Sequence, residues 1–155
     1  VLVDTNVLIY GRTRRSVQCS RLLERLDDGA VSGVITSFIL AEYCHRRMVQ
    51  EAQSSGLAGS NPARQLSRRP ERIRRLSRYA GEVRLLLASS LKVETPDEID
   101  FAVALELQRN HGLLTVDSIN LAIAQRRGIR GIATADAGFE AVQGCIVYRP
   151  DDLDL

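Results

Sequence analysis

Two short apolar runs, Val1-Leu2-Val3 and Ile129 to Ala133, each lead into a carboxylate, Asp4 directly and Asp136 through Thr134-Ala135. Val1-Leu2-Val3 is continuous, as suits a strand buried on both faces of a parallel sheet, and Ile129 to Ala133 reads as a second such strand. Such sheets place ligand sites beyond the carboxyl ends of their strands, so Asp4 and Asp136 are expected on one rim. The 155 residues fit one ordinary domain spanning 1–155, with a substantial core. A hydrophobic content of 45% and a charged content of 26% are globular values, and no apolar run is long enough to cross a bilayer. No membrane role is expected, and no secretory signal is visible ahead of the first apolar run.

Strand and helix signals alternate along the chain. Ser16 to Leu26 reads as an amphipathic helix closed by Asp27-Asp28-Gly29, and Val31 to Thr36 as a second strand. Ser37 is the expected cap of a helix from Phe38 to about Gln53, which carries Glu42 in an otherwise apolar stretch. Residues 54–67, with Gly56, Gly59, Asn61 and Pro62, show no period and read as a flexible loop. Pro70 then opens a helix expected over about 70–88, with Ile73, Leu76, Ala80, Val83 and Leu87 in one stripe and Arg74, Arg75 and Arg78 opposite. Leu91 to Glu94 reads as a brief strand. Thr95-Pro96-Asp97-Glu98 has the form of a helix start with Thr95 as cap, the helix stopping near Gly112. A further helix is expected from Asp117 to Arg127, and a last strand from Cys145 to Tyr148. This alternation predicts an α/β fold, a three-layer α/β/α sandwich with a mainly parallel central sheet.

Glu42 and Asp117 both fall in the first turns of helices, from which they can reach the rim that carries Asp4 and Asp136. Each acid also has a purely structural reading. Asp4 can cap a helix starting near Asn6, Asp117 can favour the positive end of its own helix, and Asp136 can belong to a turn. Glu42 is expected to be at least partly buried among its apolar neighbours, which calls for a partner or a metal, with Arg46 one turn on as the structural partner.

Taken jointly, the motifs change this balance. Val3-Asp4-Thr5-Asn6-Val7-Leu8-Ile9, Thr36-Ser37 followed by Ala41-Glu42, Asp117 with Ala122 and Ala124 ahead of Gly128, and Thr134-Ala135-Asp136-Ala137-Gly138-Phe139 occur in the order and setting of the PIN-domain family. The chain resembles that family over nearly its whole length, and within it the VapC-type toxins of bacterial toxin–antitoxin pairs. The resemblance implies an endoribonuclease with Asp4, Glu42, Asp117 and Asp136 as both catalytic residues and Mg²⁺ or Mn²⁺ ligands, and with Thr5, Asn6 and Thr134 as supporting polar groups. It also implies a cytoplasmic protein with an RNA substrate, an antitoxin partner and a homodimeric state. Many relatives carry another acid or amide two residues past the last Asp, where this chain has Gly138.

A carboxylate set without His or Cys selects hard, oxygen-preferring cations over zinc. A P-loop sequence is absent, and aspartyl-phosphate phosphatases require a second Asp where this chain has Asn6. The different class of reading that remains is a non-catalytic PIN-like module that binds RNA or protein. Between Arg64 and Arg84 eight arginines stand against Glu71 and Glu82, a local +6 in a chain of net +2, which leaves about −4 elsewhere. Arg74, Arg75 and Arg78 are the expected RNA-phosphate contacts, with an ordinary solvated face as the structural alternative. Cys19, Cys44 and Cys145 form no C-x-x-C pair and suit a reducing compartment.

Overall fold

The computed structural model describes residues 1–153. Its contacts divide the chain into two compact units, Val1–Leu40 with Ser90–Leu155, and Ala41–Ser89.

The first unit is built on a five-stranded sheet. In chain order its strands are β1 (Leu2–Val3), β2 (Val34–Thr36), β3 (Lys92–Glu94), β4 (Gly131–Ala133) and β5 (Ile146–Tyr148), in the spatial order β3-β2-β1-β4-β5. Every neighbouring pair is parallel. The fold is therefore the α/β/α class expected, with a sheet that is wholly parallel among the described residues. Leu2, Val3, Ile35, Ile132 and Ala133 are buried, as central strands covered on both faces require. The observed strands are shorter than the apolar runs, because residues such as Val31 and Ile129 lie outside the ladder.

Helices α1 (Thr5–Arg12), α2 (Val17–Asp27), α7 (Glu98–His111) and α8 (Thr115–Arg126) complete this unit, together with the start of α3 (Ser37–Ser54). α1 and α2 pack closely at Gly11, where a Cβ would meet Leu23 Cδ1 at 2.5 Å and the Cys19 carbonyl at 3.0 Å. Ser16 caps α2 as expected, accepting the Cys19 N–H at 2.9 Å. α3 is capped by a different residue from the one expected. It begins at Ser37 itself, and the Thr36 hydroxyl accepts the Ile39 N–H at 3.1 Å. The start of α7 also differs. Asp97, not Thr95, is the cap, in a reciprocal box with Asp100, because a carboxylate two residues nearer the helix reaches the free N–H groups directly. Burial pushes the Asp100 carboxyl up, but Arg126 and the Asp97 N–H outweigh it and hold it below the usual range. α8 is buried continuously from Ser118 to Ala124 and ends before Gly128 at φ +66°.

The second unit contains most of α3 with α4 (Pro62–Ser67), α5 (Pro70–Ile73) and α6 (Arg78–Leu87). Residues 54–67, expected as a loop, include α4. Asn61 takes a left-handed conformation ahead of Pro62 at the first helical position, and Leu66 is drawn into a core of Ala52, Ala58 and Leu76. The helix expected over 70–88 is broken between Ile73 and Arg78. The cause is Glu51, whose buried carboxylate accepts the N–H groups of Ser77 (3.0 Å), Arg78 (3.1 Å) and Tyr79 (2.7 Å) and so creates a new helix N-terminus. Burial pushes the Glu51 carboxyl up, yet these three N–H groups and Arg78 hold it below its ordinary value. A two-pronged pair from Arg47 to Glu82, at 2.5 and 2.8 Å, ties α3 to α6. Among the described residues no helix is long and apolar enough to cross a membrane.

Candidate active site

β1 lies at the point where the sheet order reverses, with β2 and β3 to one side and β4 and β5 to the other. The carboxyl ends of β1 and β4 at such a point are the usual ligand position in open α/β sheets. The register pairs Leu2 with Val34 and with Ile132. Two residues further on, it aligns Thr36, Asp4 and Thr134 in one row along the carboxyl edge.

The row is knit together by hydrogen bonds. The Asp4 backbone N–H continues the ladder to the Ala133 carbonyl at 2.9 Å. The Thr134 hydroxyl, fully buried, donates to Asp4 Oδ2 at 2.6 Å. Asn6 Nδ2 donates to the same oxygen at 2.7 Å, and the Thr5 N–H donates to Oδ1 at 2.6 Å. Asn6 Oδ1 in turn accepts the Ala135 N–H at 2.9 Å, which fixes its amide orientation. The Asp136 N–H donates to Thr134 Oγ1 at 3.0 Å. The expected supporting groups Thr5, Asn6 and Thr134 thus hold the half-buried Asp4 carboxylate in one orientation and anchor the backbone of Asp136 beside it.

Two buried residues of the site escaped the sequence reading in this role. The Thr36 hydroxyl donates to Asn120 Oδ1 at 2.6 Å, and both groups are buried. Asn120 lies on α8 three residues after Asp117, so the two share a helix face. The Thr36 bond fixes that face of α8 against the end of β2, and Asp117 on it is half-buried. A lone Asn inside an apolar helix, Ile-Asn-Leu-Ala, was the available signal.

The structural readings of the acids are also realised. Asp4 caps α1, and Asp136 is exposed with Oδ1 accepting the Gly138 N–H at 2.8 Å at the start of a 3₁₀ turn, Ala137–Phe139. Glu42 belongs to the second unit and corrects an expectation. It is exposed, because the buried stripe of α3 runs through Ile39 and Tyr43 and leaves Glu42 on the flank, where Arg46 pairs with it at 3.4 Å.

By donor chemistry the acids suit a hard divalent cation, all of them offering oxygen. Among the described residues no three His, Cys, Asp or Glu side chains stand close enough to form a metal cage. The structure therefore brings together Asp4, Asn6, Thr134 and the Asp136 backbone, and does not gather the four carboxylates into one cluster.

The family profile described as PIN domain matches residues 1–144. Among solved structures the chain is similar to a toxin–antitoxin complex from Klebsiella pneumoniae, with TM-score 0.61 and 18% identity over 96% of this chain and 98% of that one. It is similar to a VapBC complex from Rickettsia felis bound to a promoter DNA fragment, with TM-score 0.61 and 15% identity over 97% and 98%. A sarcin–ricin-loop-cleaving VapC toxin of Mycobacterium tuberculosis has TM-score 0.62 and 19% identity over 96% and 98%. At these identities the likeness establishes the fold. No curated protein sequence matches the chain.

Proposed function

The chain belongs to the PIN domain family, and from that premise we propose that it is a metal-dependent endoribonuclease, the toxin of a toxin–antitoxin pair. The observation that carries this reading is the row Thr36, Asp4, Thr134 at the switch point, with the Asp4 carboxylate held by Thr134, and it is supported by the Thr36–Asn120 bond on the helix that carries Asp117. Asp4, Glu42, Asp117 and Asp136 are the residues that would hold a Mg²⁺ or Mn²⁺ ion. The chemistry such an ion supplies when bound is neutralisation of phosphate charge and a lowered pKa for an attacking water.

The remaining residues act by positioning. Thr134 and Asn6 fix the Asp4 carboxylate before substrate arrives, so that little reorganisation accompanies the reaction. The Thr36–Asn120 bond does the same for Asp117 by locking α8 against the strand edge. An antitoxin and a second copy of the chain are the proposed partners, in keeping with the complexes it resembles, and RNA is the proposed substrate. The free thiols Cys19, Cys44 and Cys145 accord with a cytoplasmic setting.

A second reading, a non-catalytic RNA- or protein-binding module, draws on the capping roles of Asp4 and Asp136 and the Glu42–Arg46 pair. RNA cleavage assayed with chelator, then with added Mg²⁺ or Mn²⁺, separates the two. The nuclease cleaves only with metal, and Asp4→Asn lowers cleavage by more than about a hundredfold, beyond the usual loss of an outer-shell partner. A folded chain that cleaves no RNA under any metal condition supports the module.

A further inference from the structure

We infer that the Ala41–Ser89 unit is a sequence-blind docking surface for the RNA backbone, carried by Arg64, Arg68, Arg69, Arg74 and Arg75. The inference rests on the proposed ribonuclease reading and adds a substrate-holding element to it. The unit contains ten arginines and four glutamates, a net +6, while the chain as a whole is +2 and the other unit therefore −4. All of the excess positive charge lies inside this unit, between Arg64 and Arg84.

Side-chain geometry sorts these arginines. Arg46 and Arg47 are spent on Glu42 and Glu82, Arg72 donates to the Leu57 carbonyl, Arg78 donates to Ser54 Oγ at 2.8 Å, and Arg84 is exposed on α6, outside the stretch 64–75. Arg78, expected from sequence as an RNA contact, is thus engaged within the unit. The five named arginines are exposed, and their guanidinium groups have no ion-pair or hydrogen-bond partner among the described residues. On α4, Arg64 and Arg68 each stand two residues from the buried Leu66, about 200° round the helix, and so point away from the core. Arg69, Arg74 and Arg75 flank α5, whose Ile73 packs on that same core. A shared apolar core thereby displays the cations on short, anchored elements.

What surrounds them identifies the ligand. The unit's large exposed apolar side chains among the described residues, Leu85 and Leu87, stand at the end of α6, and none lies in the stretch 64–75 that carries the five arginines. A protein interface lacks its apolar anchor there, and a bilayer lacks its wedge. The unit's two tyrosines are withdrawn, Tyr43 into the interior and Tyr79 onto the small core, and no aromatic ring lies in the stretch 64–75 among the five arginines. Guanidinium forks alone fit phosphates, and phosphate contacts give affinity and register without reading sequence.

The test uses the full chain carrying Asp4→Asn, so that RNA survives, and two unrelated single-stranded RNA oligonucleotides. Both are expected to bind alike. Changing the five arginines to Gln should weaken binding of both by at least roughly tenfold and lower the slope of log affinity against log salt by up to about 3.5. Arg21→Gln with Arg130→Gln, two exposed cations of the other unit, should leave the slope unchanged. An unchanged slope in the five-arginine variant with its melting temperature intact, an equal loss per charge in the control, or competition by polyglutamate as effective as by unlabelled RNA would each overturn the inference. Cleavage by chains that retain Asp4 is read separately. If the parent cleaves with metal and the five-arginine variant binds and cleaves like it, the surface fails and the nuclease stands. If the Asp4→Asn chain binds RNA through these arginines but the parent never cleaves, the surface stands and the nuclease fails.

Discussion

Asp4 and Glu51 each accept at least three hydrogen bonds, yet the two units place these carboxylates in opposite settings. Glu51 is buried in the basic unit, and its donors are the N–H groups of Ser77, Arg78 and Tyr79 at the start of α6. Everything it touches is scaffold. Asp4 is half-buried in the acidic unit, and two of its donors, Asn6 and Thr134, are side chains converging from different parts of the chain on the edge of a parallel sheet. Burial and a full set of donors therefore do not distinguish the two carboxylates; the place of Asp4 at the switch point does, and it is on that place that the proposed role rests. The same contrast holds for net charge, with +6 in the unit of Glu51 and −4 in the unit that carries Asp4, Asp117 and Asp136.

Thr134→Val presses hardest on this contrast. It keeps the side-chain shape but removes the donor to Asp4 and the acceptor for Asp136, so kcat/KM for RNA is expected to fall by roughly 10- to 100-fold. Thermal unfolding should show a cost of about 1–3 kcal/mol for the buried polar groups left unpaired. A loss of stability with cleavage unchanged would make the rim as structural as the Glu51 cap.

Glu51→Gln is expected to cost about 1–3 kcal/mol in denaturant unfolding, because a neutral amide is a poorer acceptor for three N–H groups at the positive end of a helix. Its pH dependence has a definite sign. The folded carboxyl lies below its ordinary value of 4.5, so the stabilisation is complete above that pH and fades as pH falls through the depressed folded value. The difference between parent and Glu51→Gln should narrow in that acid range. A gap that stayed constant down to the lowest pH tolerated would deny the cap its charge.

Glu42→Gln should change stability least, by less than about 0.5 kcal/mol, since its pair with Arg46 is solvent-exposed. Any fall in cleavage by this variant then reports on cation binding and not on folding. A marked drop in melting temperature would return Glu42 to a structural role.

The sequence showed the sheet and its rim because apolar runs ending in Asp4 and Thr134-Ala135-Asp136 carry their meaning locally. It missed the break between Ile73 and Arg78 because the cause lies far away along the chain, at Glu51, and no periodicity within 70–88 reports it. It missed α4 for a related reason, since six residues are too few to establish a period and are stabilised by burying Leu66 against Ala52 and Leu76. Glu42 shows the opposite error, where apolar neighbours suggested burial but only Ile39 and Tyr43 lie on the buried stripe. Asn120 was legible only as an oddity, a polar residue in an apolar helix whose purpose became evident once Thr36 stood opposite it.

Whether the rim acids share a cation is tested most directly by titrating Mn²⁺ into the purified chain and into Asp4→Asn and Asp117→Asn, with melting temperatures followed in parallel. The parent is expected to bind Mn²⁺ and each variant to lose most of that affinity while remaining folded, with binding weakening as pH falls and protons compete for the ligands. Equal Mn²⁺ affinity in parent and variants, with Asp4→Asn instead markedly less stable, would show that Asp4 is a helix cap and that the rim is not a metal site.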